Sequence, residues 1–164
     1  MTIEELTIRL KQEAESFNQN EPFASPMLQE QILLKDSFKE MLTVTLACGL
    51  AGEIINREKL ETLINSCFEK FPEILEYAKK DLVATVLRDP ACLGYLEPLL
   101  FFKGFQGLQA YRIAHALWKN NERFTAKMFQ SIISRKFGMD IHPAAQIGHG
   151  LLIDHATNIV IGET

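Results

Sequence analysis

The chain has 164 residues, of which 47% are apolar and 23% charged, an ordinary balance for a globular protein with a hydrophobic core. Its formal net charge of -4 offers no electrostatic attraction to nucleic acid or anionic lipid, so we expect neither as a partner. The richest apolar run, residues 42–52, is far shorter than the roughly 20 residues of a membrane-spanning helix.

The N-terminus is acidic and amphipathic, which predicts a helix rather than a targeting segment. Thr2 and Glu5 have the spacing of a capping box. Four apolar residues recur at helical spacing and should form the buried face of this helix: Ile3, Leu6, Leu10 and Ala14. Residues 17–27 contain two prolines and several short polar side chains, so they predict a loop.

The middle of the chain reads as one helix after another. Helical periodicity covers residues 28–50 and is predicted to break near Asp36 and Ser37, since either is a good N-cap. Further helices are predicted over residues 57–71, 72–88, 99–121 and 122–137. Pro72 suits the first turn of its helix, and residues 88–98 should be irregular. Residues 99–121 are apolar on most sides, which predicts a buried central helix.

The three cysteines, Cys48, Cys67 and Cys92, are odd in number and lie among apolar neighbours. This pattern favours buried free thiols in a reducing cytoplasm over disulfides or metal ligands. We therefore expect a cytoplasmic protein.

A different period begins after Gly138. Isoleucine recurs every six residues: Ile141, Ile147, Ile153 and Ile159. A hexapeptide repeat indicates a parallel β-helix, in which each hexad is a short strand plus a turn and the aliphatic side chain points inward. Ala145, Gly150 and Ala156 would suit the corners, although a chance coincidence of apolar residues is the alternative.

The segments "LRDPACLGYLEPLL" (residues 87–100), "KGFQGLQAYRIAHALW" (103–118) and "DIHPAAQIGHGLLIDHATNIVIGET" (140–164) together resemble bacterial serine O-acetyltransferase. The resemblance implies a mainly α N-terminal domain followed by the first coils of a left-handed parallel β-helix with three hexads per coil. We expect an all-helical domain over residues 1–137 and an incomplete β-helix over residues 138–164. It also implies a homo-oligomer, a trimer paired through its helical domains into a dimer of trimers.

Two features depart from the family pattern. Asn158 stands where the family commonly has glycine, and Asn tolerates the left-handed backbone region well. Family members also continue for several coils, with a second active-site histidine, an acetyl-CoA groove and a C-terminal tail that docks into O-acetylserine sulfhydrylase. We therefore expect this chain to be C-terminally truncated and to be a weak catalyst by itself.

The resemblance assigns catalysis to His155 as the general base, with Asp140 holding its other ring nitrogen. A histidine titrates near neutral pH, and such proton transfer contributes roughly 10²–10⁴-fold to rate. Asp140 lies 15 residues before His155, so in an 18-residue coil the two would not stack. They could meet across a corner or between subunits. Without the resemblance, His155 would be an ordinary surface or packing residue.

The resemblance also assigns Asp89 and Asp154 to binding the ammonium group of L-serine. Each has a simpler interpretation, since Asp154 could cap a turn and Asp89 before Pro90 could open one. Acetyl-CoA would be a co-substrate rather than a tightly bound cofactor, and its binding residues are expected beyond Thr164.

Other polar residues are given structural roles. His142, His149 and His155 lack the close spacing of zinc ligands, so no metal is expected. His115 on the predicted central helix should be a hydrogen-bonded structural histidine. Arg112 and Tyr111 are expected in packing or interface positions.

The sequence thus favours a serine O-acetyltransferase, or a piece of one, making O-acetylserine from L-serine and acetyl-CoA in cysteine biosynthesis. One alternative is a non-catalytic module in which the helical domain drives oligomerisation. Another is a hexapeptide acetyltransferase with a different small acceptor, such as homoserine or a sugar.

Overall fold

The computed structural model describes residues 1–52 and 55–164, which form eight α-helices, one π-helical turn and two short strands. In chain order they are α1 (Ile3–Asn20), α2 (Ser25–Leu28), the π-helical turn Gln29–Leu33, α3 (Phe38–Leu50), α4 (Arg57–Lys70), α5 (Glu73–Arg88), α6 (Leu96–Phe101), α7 (Lys103–Lys119), α8 (Arg123–Phe137), β1 (Met139–Ile141) and β2 (Ile159–Ile161). No helix in this part of the chain is long and apolar enough to cross a bilayer.

Local capping sets two helix starts as predicted. Thr2 Oγ1 accepts the Glu5 N–H at 3.1 Å, and Glu5 Oε2 accepts the Thr2 N–H at 2.7 Å, which completes the capping box. Ser37 caps α3, accepting the Glu40 N–H at 3.3 Å, and confirms the predicted break.

The predicted loop over residues 17–27 is wrong at both ends. Helix α1 continues through Asn20, whose amide donates to the Ser16 carbonyl at 2.7 Å, and it ends just before Pro22. Helix α2 then begins at Ser25 with Pro26 in its first turn. Short polar side chains do not end a helix at the surface; the proline does.

The predicted helix over residues 99–121 is two helices. The chain turns at Phe102, whose extended backbone (ψ 104°) separates α6 from α7. Gln106 stabilises this turn because its side-chain amide donates to the Leu99 and Leu100 carbonyls at 3.1 and 2.7 Å. Helix α7 itself is buried on most sides and packs against α8, which confirms a central helix.

Two glycines of α7 let the C-terminal segment approach closely. A Cβ atom added at Gly104 would lie 1.9 Å from the Ile153 carbonyl oxygen, and one at Gly107 would lie 2.4 Å from Met139 Sδ. The coil of residues 138–161 therefore rests directly on the α7 backbone.

Strands β1 and β2 pair in parallel, with Met139 opposite Ile159 and Ile141 opposite Ile161. Paired residues are thus 20 apart in the chain, two more than in the 18-residue coil expected from three hexads. The corner of residues 154–158 contains three left-handed residues, since His155, Ala156 and Asn158 adopt φ angles of 52°, 49° and 56°. Asn158 confirms the expected tolerance for this conformation.

Candidate functional site

The corner of residues 154–158 carries two of the predicted site residues side by side. His155 and Asp154 are both exposed, with side-chain exposures of 88% and 59%, and His155 Nε2 lies 3.5 Å from Asp154 Oδ2. His155 has a left-handed backbone, and its imidazole is exposed to solvent.

Asp140 lies on β1 and is held by α8 instead of by His155. Gln130 Nε2 donates to Asp140 Oδ1 at 2.5 Å, while Lys127 Nζ donates to Gln130 Oε1 at 2.7 Å. Because a lysine can only donate and a carboxylate can only accept, these two bonds fix the orientation of the Gln130 amide. The predicted Asp140–His155 contact is not formed within this chain and stays a prediction.

Asp89 lies immediately after α5 and opens a turn. Its Oδ1 accepts the Ala91 N–H at 2.9 Å, and its carbonyl accepts the Cys92 N–H at 3.1 Å. The side chain is half-buried and contacts neither Asp154 nor His155 through a hydrogen bond in the described structure. Its predicted role in binding serine stays a prediction.

A buried ion pair positions the coil that bears these residues. Arg112 on α7 and Asp81 on α5 are 4% and 0% exposed, and Arg112 Nη2 lies 2.6 Å from Asp81 Oδ2. Asp81 Oδ1 accepts the Leu151 N–H at 3.0 Å, and Arg112 Nη2 donates to the Gly148 carbonyl at 2.8 Å. The pair therefore binds coil backbone on both sides, and Arg112 is confirmed as a packing residue.

Sequence reasoning missed Asp81. The sequence spacing could have revealed it, because Asp81 lies on the buried face of α5 together with Ala78, Leu82 and Thr85. A carboxylate on such a face needs buried partners. Gln109 supplies a further one, donating from Nε2 to Asp81 Oδ2 at 3.0 Å.

Other α5 and α7 side chains hold coil carbonyls. Tyr111 Oη donates to Ala145 O, His115 Nδ1 lies 2.7 Å from Pro143 O, and Arg88 Nη1 donates to Gly150 O at 2.8 Å. His115 is thus confirmed as a hydrogen-bonded histidine. Burial raises the pKa of Tyr111, consistent with a neutral phenol at this junction.

The other two coil histidines lie against aromatic rings, and the three cysteines are unpaired thiols. The His142 ring lies edge-on to Trp118 at 5.2 Å, and the His149 ring lies 4.9 Å from that of Tyr77. Cys48, Cys67 and Cys92 are free thiols, and burial raises the pKa of each, that of Cys67 to about 11. Among residues 1–52 and 55–164, no three His, Cys, Asp or Glu side chains are grouped to hold a metal ion.

Comparison with known proteins identifies the family. Residues 7–110 match the family described as serine acetyltransferase, N-terminal. The Haemophilus influenzae serine acetyltransferase is 41% identical over 155 residues, covering 94% of this chain and 58% of its own length. A chloroplastic serine acetyltransferase of Arabidopsis thaliana is 42% identical over 161 residues, covering 98% of this chain and 51% of its own.

A serine acetyltransferase solved in complex with CoA is 39% identical, with a TM-score of 0.97 over 99% of this chain and 69% of that one. This similarity confirms the predicted fold class. The chain spans about half the length of the curated relatives it matches. From its family match and its similarity to these relatives, the chain belongs to the serine acetyltransferase family.

Proposed function

We propose that this chain is part of an enzyme that transfers the acetyl group of acetyl-CoA to the hydroxyl of L-serine. The products are O-acetylserine and CoA, and the reaction opens cysteine biosynthesis. The observation that carries this proposal is the 39% identity, across 99% of the chain, to a serine acetyltransferase solved with CoA. A Neisseria gonorrhoeae relative, 36% identical with a TM-score of 0.95, was solved in complex with serine.

In the proposed reaction His155 accepts the serine hydroxyl proton as the oxygen attacks the thioester carbon. A C–O bond forms, the C–S bond breaks, and the proton passes from the imidazolium to the departing thiolate. The exposure of His155 on its corner suits this role, since a base must reach its substrate.

Asp140 would orient the imidazole and stabilise the imidazolium. Because Asp140 Oδ1 is engaged by Gln130, its Oδ2 is the atom we assign to His155. His155 would exchange its Asp154 contact for Asp140, either within one chain or between two copies. Asp154, released from His155, and Asp89 would then bind the serine ammonium group.

The partners of the whole protein follow from the same proposal. They are L-serine, acetyl-CoA, further copies of the chain in a trimer or dimer of trimers, and O-acetylserine sulfhydrylase. Acetyl-CoA acts as a co-substrate, and we place the protein in the cytoplasm.

The direct test, made on the whole enzyme of which this chain is proposed to be a part, is serine-dependent release of the free CoA thiol from acetyl-CoA, with homoserine as the alternative acceptor in a parallel assay. We expect release with serine above that with homoserine, and its loss in His155→Ala. Asp140→Asn should lower the release by about 10²-fold or more, since the base loses its orienting partner. Equal release with both acceptors, or undiminished release by His155→Ala, would contradict the proposal, and no release at all would favour the oligomerisation module.

A further inference from the structure

We infer that a second cleft, away from the His155 corner, binds a free α-amino acid with an apolar side chain. The cleft lies between the start of α5, the second half of α7 and residues 146–148 of the coil, and its volume is about 450 Å³. This falls within the roughly 300–1,000 Å³ range of small-molecule sites. Its lining includes none of the four residues proposed for acetyl transfer.

The charges of the cleft match a zwitterion. Glu73 and Lys119 both line it, yet across residues 1–52 and 55–164 neither forms an ion pair, with the other or with another side chain. The Glu73 carboxylate and the Lys119 ammonium are therefore more than 4.0 Å apart, and each can pair with a charged group of a ligand. A ligand that carries an ammonium and a carboxylate can engage both, and a singly charged ligand can engage only one.

Aromatic and aliphatic side chains supply the rest of the lining. Phe71 and Tyr77 present rings, and Ile74 and Ala116 add aliphatic surface. Lys119 Nζ is held 5.4 Å above the Phe71 ring, and the Arg112 guanidinium lies 5.2 Å from the Tyr77 ring. These cation–π contacts hold the two rings in place, and an apolar ligand side chain can contact the parts of the rings that line the cleft.

His115 adds a hydrogen-bond acceptor to the cleft. Its Nδ1 lies 2.7 Å from the Pro143 carbonyl, which can only accept, so Nδ1 carries the hydrogen. In the neutral ring Nε2 is then an acceptor, and His115 lines the cleft. Glu73 and His115 can therefore both accept from a ligand ammonium.

The proposal is tested by titrating the intact chain, without acetyl-CoA, with three probes while following its histidine and tyrosine ring NMR signals. The probes are L-phenylalanine, 3-phenylpropanoate, which lacks the ammonium, and phenethylamine, which lacks the carboxylate. We expect L-phenylalanine to bind about 10-fold more tightly than either analogue and to shift the Tyr77 and His115 signals. Equal affinities, or no binding up to the solubility limit, would overturn the proposal.

Variants locate the site. Lys119→Met and Glu73→Gln should each weaken L-phenylalanine binding by about 10-fold. The matched controls, Lys59→Met and Glu58→Gln on the exposed surface of α4, should leave it unchanged. If the cleft variants behave like the controls, the ligand binds elsewhere and the proposal fails.

Serine competition separates this site from the acetyl-transfer site. Saturating L-serine should not displace L-phenylalanine, and His155→Ala should retain its affinity for it. If serine displaces L-phenylalanine, the two ligands share one site. The inference of a second site is then wrong, while the proposed acetyl transfer still stands. Loss of acetyl transfer with retained L-phenylalanine binding would contradict only the proposed function.

Discussion

At the residue scale, the Asp81–Arg112 pair joins helices α5 and α7 to the coil. Both side chains are almost fully buried, and together they bind coil backbone at Gly148 and Leu151. A buried pair adds little net stability over an apolar replacement, but removing one partner leaves an uncompensated charge. The pair therefore acts as a specific connection between the helices and the coil.

We expect Asp81→Leu to lower the free energy of unfolding by about 3–5 kcal/mol, because it strands the Arg112 charge in the interior. The double variant Asp81→Leu with Arg112→Met should recover much of this loss. Glu69→Gln is the control, since Glu69 pairs with Lys39 at the surface and its loss should cost at most about 1 kcal/mol. Urea unfolding measures all three, and an equally small effect of Asp81→Leu would show that the pair is dispensable.

The buried Cys67 predicts a loss of stability at alkaline pH. Burial raises the native pKa of its thiol to about 11, while in the unfolded chain it ionises near the ordinary value of about 8.5. Between these values the unfolded state binds fewer protons, so the free energy of unfolding falls as pH rises. Cys67→Val should flatten this dependence by up to about 1.4 kcal/mol per pH unit. If the free energy of unfolding depends on pH with the same slope in the parent protein and in Cys67→Val, the thiol has the same pKa in the native and unfolded states.

At the element scale, some helix boundaries can be predicted from the sequence and others cannot, depending on what ends or begins the helix. Those set by local chemistry, such as the Thr2 and Ser37 caps, can be predicted from the sequence. The break at Phe102 cannot, because the apolar run is continuous and the turn is satisfied by a side chain, Gln106, on the following helix. A six-residue pattern likewise does not reveal the 20-residue offset of the strands or the left-handed residues between them.

Gly104 makes the contact between α7 and the coil testable. Gly104→Ala would place a methyl group 1.9 Å from the Ile153 carbonyl oxygen, so helix and coil must separate. We expect a loss of about 1–3 kcal/mol in unfolding free energy. Gly148→Ala is the control, because its added Cβ meets no atom within 4 Å and should change stability by less than about 0.5 kcal/mol. Chemical denaturation compares them, and equal stabilities would mean that the coil does not rest on α7.

At the scale of the whole molecule, the sequence predicts which residues lie in the candidate site, but it does not predict which contacts hold their side chains. Asp154 and His155 are neighbours in the chain, so their proximity follows from sequence alone. The orientation of Asp140 depends on Gln130 and Lys127 of α8, and spacing along the coil carries no information about a helix packed beside it. Asp140, the proposed partner of His155, therefore depends on helix–coil packing for its orientation, as the site would depend on neighbouring copies in the proposed trimer.

Val160 tests whether the coil forms that trimer. It lies opposite Asp140 in the strand register and is 77% exposed, an apolar side chain on the strand face beside a candidate catalytic residue. If coils associate through this face, Val160→Asp should dissociate the oligomer by burying an unpaired charge next to Asp140. Val160→Thr, similar in shape, is the control and should retain the mass of the parent protein. Sedimentation equilibrium measures this against the 18.6 kDa of one chain. A monomeric parent protein, or a Val160→Asp variant of unchanged mass, would exclude this face as the subunit contact.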